Sequence, residues 1–169
     1  MVCKNNESYK QELNKYVNRF NEINQYNNSQ EEATKDLFPW YRGYYEFASE
    51  HKLLANNMNL DNVTKPLARR DAAFIVASSL SLFEIINRKY QKNETVFDRS
   101  LISYPDINEN TDLLNDEVNA IILCTDFGIF TGNSEGNFQP NNTITRAEVA
   151  VVMSRFNKVI KEFGNGGNS

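Results

Sequence analysis

Thr145, Arg146 and Glu148 open a helical apolar pattern directly after a stretch punctuated by Gly128, Gly132 and Gly136. An arginine there has two uses. Its guanidinium fork can give a carboxylate two parallel charge-assisted bonds. It can equally pair with a neighbouring acid, or cover apolar surface with its stem. Glu148 has the look of a catalytic carboxylate, but its third helical position assigns it a cap. Thr145 accepts a hydrogen bond from the Glu148 N–H, and Glu148 reaches back to the Thr145 N–H. Ile144 before the cap and Val149 at the fourth helical position have hydrophobic-staple spacing. Gly132 and Gly136 suit a tight loop with close backbone approach or positive φ. Phe138 is expected to bury its ring beneath that loop, and Pro140 stiffens the exit.

Other chemistries lack their residues. The chain has two cysteines, Cys3 and Cys124, in no Cys-x-x-Cys spacing, and a single histidine, His51. A zinc site is short of nitrogen and sulfur ligands. Cys124 falls in an apolar helical pattern and reads as a small core residue; Cys3, near the start, has the position of a lipid-modified cysteine. His51 has no Gly-x-Ser-x-Gly partner for nucleophilic catalysis. The loop Asn133-Ser134-Glu135-Gly136-Asn137 lacks the alternating ligands and the final bidentate glutamate of a calcium loop. No Gly-Lys-Ser/Thr follows Gly132 and Gly136, so they form no phosphate loop. No segment suggests paired acid and base carboxylates. The chain reads as non-enzymatic, with no cofactor and no metal.

The elements that position these residues are helices. With 169 residues, 40% hydrophobic and 12% aromatic, the chain can bury a core as one domain or two small ones. Its net charge of −4 disfavours a general nucleic-acid surface. No apolar run approaches the roughly 18 residues needed to cross a membrane. Met1 to Asn5 run straight into polar sequence without a leader pattern. Residues 7–26 place Tyr9, Leu13, Tyr16, Val17, Phe20 and Ile23 at helical spacing, predicting an amphipathic helix. A polar linker closes this first segment, 1–36. A flexible tail occupies 163–169.

Between them lie two copies of one unit, over 37–90 and 104–162, separated by 91–103. An offset of 76 residues lays Leu53 on Ile129, Tyr45 on Ile121 and Ala48 on Cys124. An offset of 77 lays Leu67-Ala68-Arg69-Arg70-Asp71 on Ile144-Thr145-Arg146-Ala147-Glu148, so the first copy lacks one loop residue. Each copy reads as helix, loop, helix, with short helices at about 40–52 and 114–126 and long ones at about 69–88 and 146–162. The long helices are apolar over most of their girth, which predicts a place in the middle of a bundle.

The string Gly128-Ile-x-x-Gly132-x-x-x-Gly136-x-Phe138-x-Pro140, followed by Ile144-Thr145-Arg146-Ala147-Glu148, resembles the surface-layer homology repeat. The resemblance implies an all-α fold of tandem helix-loop-helix repeats around a central helical bundle, with irregular loops. Modules of this family usually carry three repeats; here two are recognisable, and the N-terminal helix is a candidate for the missing central member. The function implied is non-covalent attachment to an anionic, pyruvate-bearing secondary cell-wall polysaccharide. The chain would then act outside a bacterial cell, at its surface, with no nucleic-acid partner and no membrane insertion.

Carried over residue by residue, the family's gripping arginine matches Arg146 in the second copy and Arg69 in the first. Thr145 and the Gly132–Gly136 loop would support it with backbone donors. Trp40 matches the family's tryptophan at the head of the first helix; it either packs in the core or stacks on a sugar. Asp106, in Tyr104-Pro105-Asp106-Ile107, either bonds a sugar hydroxyl or closes a turn. The first copy departs from the pattern. Asp71 is expected to do the capping work of Glu148, but Ala68 replaces the capping threonine and Leu53 to Asp61 contain no glycine, which makes this copy mainly structural. The alternative is a derived assembly module that binds other surface proteins through the aromatics from Trp40 to Tyr45. A third possibility is the anchor of a larger extracellular enzyme.

Overall fold

The computed structural model describes residues 6–28, 38–93, 104–108 and 112–164; Cys3, most of the polar linker and most of the 91–103 connection lie outside them. The described residues are α-helical with irregular loops and one isolated bridge, so the chain is all-α. It divides into two compact units, Met1–Lys52 and Leu53–Ser169.

The first unit holds α1 (Asn6–Asn28) and α2 (Arg42–Glu50), which pack on one another. The expected apolar stripe of α1 is half-buried, and most of the positions between its members are exposed. Gly43 lets the backbones meet, because a Cβ there would stand 2.6 Å from the Val17 Cα. Rings flank the crossing, with Phe20 5.1 Å from Phe38 and Tyr16 6.0 Å from Phe47, both edge-on. The Asn24 amide closes the unit, donating to the Phe38 carbonyl and accepting from its N–H, each at 2.8 Å. Trp40 differs from the core-packing expectation. It is 79% exposed, because Phe38 and Phe47 fill the interior beside it.

The second unit holds α3 (Arg69–Leu82), α4 (Ile85–Asn93), α5 (Pro105–Asn108), α6 (Asn115–Asp126) and α7 (Arg146–Phe163). Its main contact is α3 against α6. Ala72, Ala73 and Ala77 keep α3 thin there, and Cys124 is fully buried with its thiol donating to the Ala73 carbonyl at 3.3 Å. Burial pushes that thiol's pKa well above the ordinary range, so Cys124 is inert core. Leu80, Ile85, Ile121, Ile129, Phe130 and Phe138 complete the fully buried set.

Two features depart from the expected long central helices. The segment predicted as one helix over 69–88 breaks after Leu82, where Glu84 adopts φ 56° and α4 restarts at Ile85. A left-handed glutamate costs about 1–2 kcal/mol; the turn offsets it by burying Ile85 completely. The second departure is α7. Val152, Val159 and Phe163 are buried, whereas Val149, Val151 and Met153 are exposed. At the offset of 77, Val149 and Met153 correspond to Ala72 and Val76, which are buried on α3.

Local geometry recurs at the sequence offsets. After α2, His51 N–H bonds to the Phe47 carbonyl and Lys52 N–H to that of Ser49; after α6, Phe127 and Gly128 bond to Leu123 and Thr125 in the same way. Lys52 and Gly128, at equivalent positions, both have positive φ, 55° and 65°. Further on, Lys65 N–H bonds to Asn62 as Asn142 N–H bonds to Gln139.

Candidate functional site

The loop between α6 and α7 is built from the inside out. Ile129 and Phe130 N–H groups share the Cys124 carbonyl at 2.9 and 3.2 Å, which turns both side chains into the core. Phe138 then packs fully buried, 5.8 Å from the Phe130 ring and 5.5 Å from that of Tyr104. The exposed tip is tied by Asn133, whose Oδ1 accepts from the Glu135 and Asn137 N–H groups at 3.0 and 2.9 Å. Gly136 has φ 81°. Gly132 is required by close approach, since a Cβ would lie 2.8 Å from Tyr104 Cε1 and 3.1 Å from the Asn137 carbonyl oxygen. Among the described residues the Gly132 N–H donates to no acceptor.

Asp106 closes this loop from α5. Its carboxylate accepts from the Phe138 N–H at 2.9 Å and the Gln139 N–H at 2.6 Å. Neither oxygen closes a turn with its own neighbouring backbone, as one expectation had it; both serve the backbone of the distant loop.

The start of α7 carries the cap read from the sequence. Glu148 N–H donates to Thr145 Oγ1 at 3.2 Å, while Glu148 Oε2 accepts from the Thr145 N–H at 2.8 Å and its hydroxyl at 2.7 Å. These bonds to Thr145, with a smaller contribution from the Arg69 guanidinium, hold the Glu148 carboxyl below the usual carboxylate range. In the first copy Ala68 provides no side-chain cap, and Asp71 does not reach back as Glu148 does. Its side chain is one methylene shorter, and among the described residues its only side-chain hydrogen bond is a long one from Asn57 at 3.5 Å.

Arg69 is buried. Its Nε donates to the Phe138 carbonyl at 2.9 Å, Nη1 to Glu148 Oε1 at 2.9 Å, and Nη2 to the Thr131 carbonyl at 3.2 Å. The guanidinium also faces the Phe138 and Phe130 rings at 4.9 and 5.6 Å. The backbone follows, with Arg69 N–H bonded to Asn142 and Ile144 N–H to Leu67 around the Ala68–Thr143 bridge. The head of α3 is thereby locked onto the loop of the second copy.

Between this loop and α7 lies a cleft of about 320 Å³. Arg69, Gly132, Asn133, Gln139, Glu148 and Arg155 give it polar walls, over an apolar floor of Ile129, Phe130, Val151 and Val152. Arg155 donates to the Ile129 carbonyl at 3.3 Å from one nitrogen, and among the described residues its other donors have no partner. Sequence reasoning had not assigned it a role. The signal was its helical spacing, since Glu148, Val152 and Arg155 recur on one face of α7.

Of the residues expected at the site, Arg69 and Gly132 line the cleft together. Asp106 and Thr145 stand behind it as supports of the loop and of Glu148, and Gly136 shapes the loop tip. Arg146 does not line the cleft; it is exposed and makes no hydrogen bond or ion pair with a described residue. Trp40 belongs to the first unit, where its ring meets Tyr41 at 5.8 Å and Tyr44 at 6.3 Å.

Neither the comparison with curated proteins nor that with solved structures finds a match. The comparison with protein families finds one, to the S-layer homology domain, over residues 115–150. That span runs from the first residue of α6 through the whole loop to the capped start of α7. Over residues 115–150, therefore, this chain is similar to the S-layer homology domain.

Proposed function

We propose that this chain is a non-catalytic anchor at a bacterial cell surface, and that the cleft beside α7 holds an acidic group of a secondary cell-wall polysaccharide. S-layer homology domains are anchoring modules, and the match covers the loop and cap that form the cleft. The observation that carries the reading is the convergence of two guanidinium groups and the free Gly132 N–H over an apolar floor. Such a site suits a carboxylate attached to an apolar group, as in a pyruvate ketal, with the charge on the arginines and the methyl against Val151. Arg155 has donors to spare and makes the direct contact. Arg69, whose bonds hold the loop, contributes fixed charge. The exposed rims at Asn133 and Gln139 suit sugar hydroxyls; in the first unit, taken by itself, Trp40 with Tyr44 offers a face on which a sugar ring can stack.

Calorimetric titration with purified wall polymer, with and without its pyruvate groups, tests this reading. Binding should require the pyruvate and weaken about tenfold or more in Arg155→Ala, a loss of roughly 1.4 kcal/mol. If Arg146→Ala alone removes binding, the acidic group sits at the helix head instead. If no polymer preparation binds, the assembly reading stands, which the exposed Val149 and Met153 favour.

A further inference from the structure

Arg69 at the head of α3 fills a slot whose acid is Glu148. At the offset of 77 the counterpart of Arg69 is Arg146 and that of Glu148 is Asp71, so the first copy holds a second slot of the same kind. It is a cavity of about 170 Å³ walled by Asn57, Met58, Asn62, Pro66, Leu67 and Asp71, with Lys65 also on it. The Asp71 side chain is only 9% exposed. Its Oδ2 accepts the long bond from Asn57, while Oδ1 has no hydrogen-bond partner. Arg70 Nε is 3.9 Å from Oδ1, lies closer to Glu117 at 3.6 Å, and bonds neither. Lys65 makes no ion pair with a described residue. A buried carboxylate oxygen without a donor is costly, so this pocket is built for a cation.

We infer that the cation is the guanidinium of Arg146 from a second copy of this chain, docked head to tail as α3 docks on the second loop. Three observations fit this occupant. Arg146 is exposed and has no partner among the described residues, although its counterpart makes three side-chain hydrogen bonds. Val149 and Met153, one and two turns along α7, are exposed where their α3 counterparts Ala72 and Val76 are covered. The charges are complementary, with an arginine that has no partner among the described residues at one end and, at the other, an aspartate oxygen met only by the Arg70 contact at 3.9 Å. The contact joins different surfaces of the two copies, so each copy keeps one open end and association can continue into a ring or a row. The inference does not depend on polymer binding.

Sedimentation velocity of the full chain over a wide concentration range tests it. The wild type is expected to shift from monomer to larger species as concentration rises. Arg146→Glu and Asp71→Asn should each remain monomeric. Mixed in equal amounts, the two variants should form a one-to-one dimer and nothing larger, because only one intact Arg146 then meets one intact Asp71 pocket. Arg146 is exposed, so its variant reads association without a folding defect; melting curves check that Asp71→Asn is folded. A wild type that stays monomeric throughout, which would leave Lys65 or another part of the same chain as the pocket's cation, overturns the proposal. So do variants that associate like the wild type, and a mixture that forms no dimer.

Discussion

The Arg69 guanidinium lies over the face of Phe138 at 4.9 Å while its Nε donates to that residue's own carbonyl at 2.9 Å. One phenylalanine thus receives both the charge and the hydrogen bond. A residue from the first copy thereby fixes the ring and the backbone at the centre of the second copy's loop.

Arg69→Ala should destabilise the second unit by about 3 kcal/mol, since it removes three hydrogen bonds and leaves the buried Phe138 carbonyl unpaired. Arg69→Lys should recover only part of this, because an ammonium cannot reproduce the fork. Urea unfolding measures both; a loss under about 1 kcal/mol for the alanine would refute the clamp.

Gly132→Ala should cost about 1–3 kcal/mol through overpacking against Tyr104 and the Asn137 carbonyl. Thermal melts of the single variant and of a double variant with Tyr104→Leu separate the two contacts. If the cost arises at the Tyr104 ring, the double variant should show less than the sum of the two losses.

Ala68 has the extended backbone of a helix N-cap, with φ −73° and ψ 151°, but no oxygen to accept from α3. Ala68→Ser should therefore stabilise the protein by about 1 kcal/mol. Thr145→Ala, which removes the cap in use on α7, should destabilise it by a similar amount. Equal effects of the same sign would contradict the difference between the two helix starts.

The Glu148 carboxyl is held below its ordinary pKa in the folded protein, so the unfolded chain binds the extra proton as pH falls. Its contribution is complete above the unfolded glutamate value and is lost as pH drops through the lowered folded value. In Glu148→Gln that part of the acid dependence should vanish, while stability at neutral pH falls. Urea midpoints between about pH 3 and 6 would show it, as the two curves should converge toward the acid end.

Much of the second copy was legible because its signals are local. The Thr145–Glu148 cap spans three positions, and the glycine spacing around Phe138 marks the tight loop, although Tyr104, which crowds Gly132 and packs on Phe138, comes from far upstream. The apolar stripe of α1 was readable from spacing alone. What escaped depends on distant partners. Nothing near Arg69 announces that its acceptors are Phe138, Thr131 and Glu148, and the free Arg146 looks identical in sequence. The break at Glu84 carries no glycine or proline and follows from the burial of Ile85. Asp71 resembles a cap in type and position, yet its side chain does not reach back. The exposed side of α7 was unreadable because the same valines and methionine would suit a covered helix.

The clamps on the loop also fix how much chain must travel together. Arg69, Tyr104 and Asp106 all lie upstream of residues 115–150, and they hold the loop through its carbonyls, its ring stack and its N–H groups. Grafting only the recognisable stretch onto another protein would transplant a loop without its supports. The heritable module is longer than its signature, and substitutions at Arg69 or Asp106 would alter the loop while leaving the signature intact.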